Sequence, residues 1–138
     1  MALEWKYSAE AALLRRKGMR TTRRRVDILR FFSAATAPLS AETLHTKLRG
    51  MDRATVYRTL SRFADAGLLN AVNFGGSERR FERAGAHHHH LVCTSCEKVE
   101  ELQIPEKDID RAALKSSKGF SRVSGHSLEF FGICRKCA

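Results

Sequence analysis

A chain of 138 residues, 43% hydrophobic and 29% charged, has room for one ordinary core or two small ones. No apolar run approaches membrane-spanning length, and Met1 to Gly18 mixes Glu4, Lys6, Glu10, Arg15, Arg16 and Lys17 with apolar residues, so neither a membrane protein nor a secretory leader is expected and the protein reads as cytoplasmic. The net charge of +10 is unevenly placed: residues 1–83 hold 17 Lys/Arg against 8 Asp/Glu, and residues 84–138 hold 8 against 7. A strongly basic half beside a nearly neutral one points to a polyanion partner for the first.

In chain order, Leu3 to Arg16 reads as a first helix. Thr21-Thr22 offers an N-cap before Arg23 to Ala35, where Val26, Leu29, Phe32 and Ser33 keep helical spacing. Pro38-Leu39-Ser40 breaks the chain, and Ser40 with Thr43 starts a short helix to Arg49. Asp52 caps Arg53 to Ala66, and Gly67 ends that helix in a left-handed conformation. Val56, Leu60, Phe63 and Ala64 form its apolar face, leaving Thr55, Tyr57, Arg58, Ser61 and Arg62 largely outside it. Leu68 to Phe74 and Glu78 to Arg83 read as two strands joined by a Gly75-Gly76-Ser77 turn. Helices followed by such a hairpin form the pattern of a winged helix-turn-helix, and a Thr/Tyr/Arg face is what a helix in a major groove presents.

The second half carries metal chemistry. Four histidines, His87 to His90, run into Cys93-x-x-Cys96, and a second pair, Cys134 and Cys137, closes the chain. These are all four cysteines, and five of the six histidines lie between residues 87 and 126. Two residues between cysteines let a tight turn aim both thiolates at one ion, and two such turns make a closed four-thiolate zinc site of structural type. Two disulfides would need an oxidising compartment, and a thioredoxin-like pair would need a βαβ setting that is not visible. An affinity tag would sit at a terminus, whereas this histidine run is internal and leads into an apolar stretch. Read as a strand, the run sends His87 and His89 to one face and His88 and His90 to the other, so that one segment feeds two metal sites.

Ala54-Thr55-Val56-Tyr57-Arg58-Thr59-Leu60, followed by Asp65-Ala66-Gly67-Leu68, closely resembles the recognition helix of Fur-type (ferric uptake regulator) metalloregulators. His90-Leu91-Val92-Cys93-x-x-Cys96 resembles the start of their dimerisation domain. Gly119-Phe120, His126-Ser127-Leu128-Glu129 and Gly132-x-Cys134-x-x-Cys137 resemble its end. The resemblance implies an α+β protein: a winged helix-turn-helix DNA-binding domain over residues 1–84, then a small α/β dimerisation domain over 85–138 with a four-cysteine structural zinc. It implies a metal-dependent repressor of metal-homeostasis genes, not an enzyme, acting as a homodimer on AT-rich, pseudo-palindromic double-stranded DNA. The structural zinc would use Cys93, Cys96, Cys134 and Cys137. A hinge sensor for iron(II), zinc or manganese would use Glu82, His88, His90 and Glu101, tying the two halves into one orientation. A third site would use His87, His89, His126 and a carboxylate on the helix after Pro105; counting back from Gly119 selects Asp108, with Asp110 the alternative. DNA contacts fall to Arg20, Arg23, Arg24, Thr55, Tyr57, Arg58 and Arg62, supported by Arg25 and the wing arginines Arg79 and Arg80.

Three positions depart from the family pattern. Pro38 stands where many iron-sensing relatives supply a histidine, and His45, the nearest one, reads as packing or surface. Ala84 stands where zinc-sensing relatives often place a cysteine. His89 replaces the aspartate common in iron sensors, and a His-rich site is softer, favouring zinc or nickel over manganese. Glu82 sits where peroxide-sensing relatives carry aspartate, which argues against peroxide sensing. A metal-storage or chaperone module and a zinc metalloenzyme are the competing classes; neither needs the basic Thr55–Arg62 helix.

Overall fold

The computed structural model describes residues 3–74 and 78–138, so the expected Gly75-Gly76-Ser77 turn lies outside the described residues. The chain forms two compact units, Met1–Gly85 and Ala86–Ala138.

In the first unit the single helix expected over Leu3 to Arg16 is two pieces. A 3-10 turn, Glu4–Tyr7, precedes helix α1, Ala9–Arg16. Ser8 is the reason: at φ −70° and ψ 161° it leaves the helical region, and its Oγ accepts the Ala11 amide, the work of an N-cap. Helix α2, Arg23–Ala34, starts at Thr22, whose hydroxyl accepts the Arg25 amide. Ile28, not Ser33, completes its buried face with Val26, Leu29 and Phe32; Ser33 is exposed and donates to the Leu29 carbonyl. Ser40 caps α3, Ala41–Lys47, through the Thr43 amide.

Helix α4, Arg53–Asp65, is bounded at both ends by side-chain and backbone chemistry. Asp52 Oδ1 accepts the Thr55 amide at 2.6 Å, and the hydrogen bonds from the Thr55 side chain and backbone hold its carboxyl below the usual value. At the other end Gly67 adopts φ +76° and the Leu68 amide returns to the Phe63 carbonyl, a closure in which a left-handed residue suits glycine. Strands β2, Leu69–Val72, and β3, Arg80–Arg83, pair antiparallel and are shorter than the sequence suggests. A third strand unforeseen in the sequence, β1 over Leu39–Ser40, joins the other edge of β3. Two residues carry no readable alternation, so only the pairing reveals it.

One apolar cluster holds this unit: Leu14, Val26, Leu44, Val56, Leu60 and Phe63 among others are fully buried where α1 to α4 meet the sheet. The second unit is built differently. Strand β4, His89–Cys93, lies between β5, Val99–Leu102, antiparallel to it, and β6, Glu129–Gly132, parallel to it. Helix α5, Glu106–Ser116, begins after Pro105 and buries none of its residues. The only buried apolar side chains here are Val92 and Cys93, and the other buried positions are His89 and His90. Leu91, Leu128, Phe130, Phe131 and Ile133 are all at least 36% exposed.

Leu60 is fully buried at the centre of the first unit's cluster. Leu60→Ala should lower stability by about 2–5 kcal/mol, from lost burial plus a residual cavity. Urea unfolding followed by circular dichroism, with the denaturant slope unchanged, checks it.

Candidate metal centres and nucleic-acid interface

Strand β4 organises the metal ligands. Its last residue, Cys93, opens the first cysteine turn, in which the Glu97 amide donates to the Cys93 carbonyl and Glu97 itself takes φ +61°. The second turn is closed by the Cys137 and Ala138 amides on the Cys134 carbonyl. Parallel pairing of β4 with β6 sets Cys93 opposite Gly132, and the Thr94 amide donates to the Gly132 carbonyl at 2.8 Å, so the two turns face each other.

All four cysteines are free thiols, and their Sγ atoms lie within 4.8 Å of one another. Cys96 and Cys134 Sγ are 3.7 Å apart. Zinc–sulphur bonds of about 2.3 Å place tetrahedral sulphurs about 3.8 Å apart, close to the separation this pair already has, so the donor set suits a zinc ion. The pair is not joined as a disulfide, whose sulphurs would be about 2.05 Å apart. The Cys134 amide donates to Cys93 Sγ at 3.3 Å. That amide, with those of Cys96 and Ser95, brings the Cys93 thiol down to about 6 against the opposing effect of burial. The Cys137 side chain, first among several donors, lowers Cys134 as well. Cys137 is pulled down by Ser95, but sharing its proton with Cys134, Cys96 and Cys93 outweighs this and pushes it up to about 12.

The histidine run divides as alternation requires, although β4 begins at His89 and not at His87. His87 packs edge-on against His89 at 4.7 Å between ring centroids, and His88 against His90 at 4.8 Å. On one face His126 joins the first pair: its Nε2 lies 3.2 Å from His87 Nε2 and 3.1 Å from His89 Nε2. Zinc–nitrogen bonds of about 2.0–2.1 Å would separate tetrahedral nitrogens by about 3.3–3.4 Å, close to this spacing. His89 is 1% exposed. On the other face the His88 Nδ1–H donates to the Ala86 carbonyl at 2.9 Å, which leaves Nε2 as the lone-pair nitrogen. Glu101 stands directly across from His90 in the β4–β5 register, so both side chains leave the same face, and its Oε1 accepts from Gln103. Glu82 lies on β3 in the first unit.

The first unit's basic residues gather on its surface. On α4, Tyr57, Arg58 and Arg62 are exposed and Thr55 half-buried, opposite the buried Val56, Leu60 and Phe63. Arg79 reaches Tyr57 Oη at 3.4 Å and covers the Phe81 ring. Arg20 and Arg24 are exposed; Arg23 is held by both carboxylate oxygens of Asp27 at 3.1 Å, and Arg25 donates to the Arg20 carbonyl. His45 is half-buried within α3, and Pro38 is buried.

The profile of the Ferric uptake regulator family matches residues 16–131. The chain belongs to the ferric uptake regulator family. It is 31% identical over 129 residues to the peroxide operon regulator of Bacillus subtilis (strain 168), covering 91% of this chain and 88% of that one. The Vibrio cholerae ferric uptake regulator, a protein with DNA-binding domains, is 32% identical with a TM-score of 0.76, covering 89% and 98% of the two chains. The Francisella tularensis ferric uptake regulator with iron is 28% identical with a TM-score of 0.77, covering 87% and 95%. The mixed helix-and-sheet fold is the one these regulators have.

One carboxylate is placed otherwise than counting from Gly119 suggests. Asp108 is exposed and outside the histidine group, whereas Asp110 Oδ1 meets His126 Nδ1 at 2.7 Å. Helical geometry explains the exchange. Glu106 and Asp110 are four apart on α5 and share a face, while Asp108 lies two residues from each and points away. Glu106, which the sequence reading passed over, sits 4.0 Å from His87 Nδ1. The i, i+4 spacing of the two carboxylates was the available signal.

The sulphur geometry leads us to expect one tightly held zinc per subunit, lost in a Cys134→Ser, Cys137→Ser double variant. Zinc affinity should fall as pH is lowered, because the Cys137 proton must leave at every pH. It should fall more steeply below about 6, where Cys93 also takes up a proton. Competition titration with a zinc chelator across pH 5–8 (about one Cys93 proton gained over that span) measures this.

Proposed function

We propose that this ferric uptake regulator family member is a metal-dependent, DNA-binding transcriptional repressor of metal-homeostasis genes. The observation that carries the reading is the outer face of α4, where Tyr57, Arg58 and Arg62 are exposed on a helix whose other face is fully buried. An enzyme or a metal store has no use for it. We assign α2 to α4 with the β2–β3 pair to a winged helix-turn-helix, with α4 in the major groove. Tyr57 would pack against a thymine methyl and Arg58 would reach base edges or phosphate, while Arg20, Arg23, Arg24 and Arg79 would supply phosphate contacts. Residues 1–83, with 17 basic against 8 acidic side chains, suit that polyanion.

Residues 85–138 would form the dimerisation domain. Support comes from β6, an edge strand with Phe130 and Phe131 exposed, in a unit that buries only Val92 and Cys93 as apolar core. A second copy covering that strand would bury the apolar surface and satisfy the open edge. Two copies related by a two-fold axis would match a pseudo-palindromic, AT-rich operator.

The structural zinc is assigned to Cys93, Cys96, Cys134 and Cys137. A regulatory ion is assigned to His88, His90 and Glu101, with Glu82 as the ligand contributed from the DNA-binding half. An ion shared in this way would favour one arrangement of the two halves and so couple metal to operator binding. Two imidazoles and two carboxylates suit iron(II), zinc or manganese. His87, His89 and His126 are assigned to a third ion.

Fluorescence anisotropy with AT-rich palindromic and random duplexes, with and without metal, tests the function. Binding should require metal and fall by orders of magnitude between low and moderate salt, as expected if about six to ten phosphates are contacted per dimer. Tyr57→Ala and Arg58→Ala should lose preference for the palindrome, whereas Arg24→Ala should weaken both duplexes alike. Equal losses on both duplexes for Tyr57→Ala would overturn the assignment of α4.

The two histidine pairs should separate in the same assay. His88→Ala or His90→Ala should uncouple DNA binding from added metal. His87→Ala or His89→Ala should instead reduce metal stoichiometry and dimer stability. Four variants with one phenotype would contradict two distinct sites.

A further inference from the structure

The carboxylate nearest the third ion site is on the wrong side of an imidazole to bind the ion. Asp110 Oδ1 sits 2.7 Å from His126 Nδ1, while His126 Nε2 is the nitrogen that meets His87 and His89. The two ring nitrogens point away from each other, so a group hydrogen-bonded to one lies across the ring from an ion held by the other. The His126 Nδ1–H therefore donates to Asp110, which fixes the tautomer that leaves Nε2 unprotonated. The His126 side chain is 12% exposed and that of Asp110 31%, so the bond is partly shielded from water. Glu106 lies 4.0 Å from His87 Nδ1, again on the side of the ring away from the cluster. Nothing comparable backs His89, whose Nδ1 is buried without a hydrogen-bond partner among the described residues.

The geometry points to Asp110 as a positioning residue that acts through His126, leaving the third site with the imidazole nitrogens of His87, His89 and His126 as its ligands and none from α5. The inference rests on the assignment of a third ion to His87, His89 and His126. Its consequence is selectivity. A site of three neutral nitrogens takes borderline cations such as zinc, cobalt or nickel in preference to manganese, which prefers oxygen. A directly bound aspartate would soften that preference and neutralise one charge of the ion. The carboxylate behind His126 instead raises the basicity of its nitrogen and holds the ring in place.

The test uses cobalt(II) as the probe in the full-length protein holding zinc only in its four-cysteine site, with His90→Ala introduced so that the other histidine pair does not compete. Cobalt affinity and the visible d–d spectrum are read together. Asp110→Asn keeps an oxygen that accepts the Nδ1–H, so its spectrum should match that of the parent, with affinity within a few-fold. Asp110→Ala should keep the spectral type but bind about 10–100-fold more weakly. Millimolar manganese should not displace the cobalt, and zinc should. A changed spectrum in Asp110→Asn would make the carboxylate a direct ligand and overturn the inference, as would wild-type affinity in Asp110→Ala. Cobalt uptake indifferent to His126→Ala would overturn the third site itself, a different outcome from either.

Discussion

The period-two alternation of strand β4 is the constraint on which the metal chemistry depends. Side chains on a strand leave opposite faces in turn, so neighbouring histidines cannot serve one ion. His87 and His89 go one way, where His126 joins them, and His88 and His90 go the other, where Glu101 faces His90. The same strand then ends at Cys93, and its parallel pairing with β6 brings the first cysteine turn up to the second. One strand of five residues, His89–Cys93, thus positions His89, His90 and Cys93, one residue from each group of candidate metal ligands. A register slip of one residue would exchange the two histidine faces and misplace Cys93.

The two units are stabilised by different physics. In the first, four helices and a three-stranded sheet bury a continuous apolar cluster, and each helix from α1 to α4 starts with a side-chain cap, at Ser8, Thr22, Ser40 and Asp52. The charged ends of the basic residues stay outside this cluster, where some join neighbouring elements, as Arg30 does with Glu10 and Arg53 with Glu42. Among the expected DNA contacts, Arg23 is ion-paired within its own helix, its Nε–H shared between both carboxylate oxygens of Asp27. A phosphate contact that used this Nε–H would exchange one oxygen anion for another, which reduces its net gain.

Much of this was legible in the chain, and the misses have physical causes. The caps at Thr22, Ser40 and Asp52 and the left-handed Gly67 are local signals, and each acts where the sequence places it. Ser8 is an equally good cap, hidden because the apolar residues on either side keep helical spacing through it. Strands β1, β5 and β6 were not foreseen: β1 has two residues, β5 has adjacent glutamates at its centre, and β6 has exposed phenylalanines on both faces. Their places are set by pairing with distant strands, which no local pattern encodes. The cysteine cluster was read from spacing alone, because Cys-x-x-Cys carries its geometry with it. The choice between Asp108 and Asp110 was not, because counting from a glycine does not report which face of a helix meets the histidines.

The second unit has almost no apolar core, and this changes what its ligands do. Val92 and Cys93 are its only buried apolar side chains, and its other buried positions are the imidazoles His89 and His90. A domain this small that buries so little apolar surface needs staples, a metal or a partner to hold its shape. Four thiolates around a zinc supply such a staple, since structural zinc binding contributes about 10–16 kcal/mol of folding free energy in small zinc domains. Covering Phe130, Phe131 and Ile133 would supply more through the hydrophobic effect. Burying imidazoles is costly unless their ring nitrogens are satisfied, and an ion held on either face of β4 would turn part of that cost into binding energy. On the proposed assignments, metal sensing and folding would not be separate properties of residues 86–138: the fewer apolar contacts the unit makes for itself, the larger the share of its order that ions and a second copy would control.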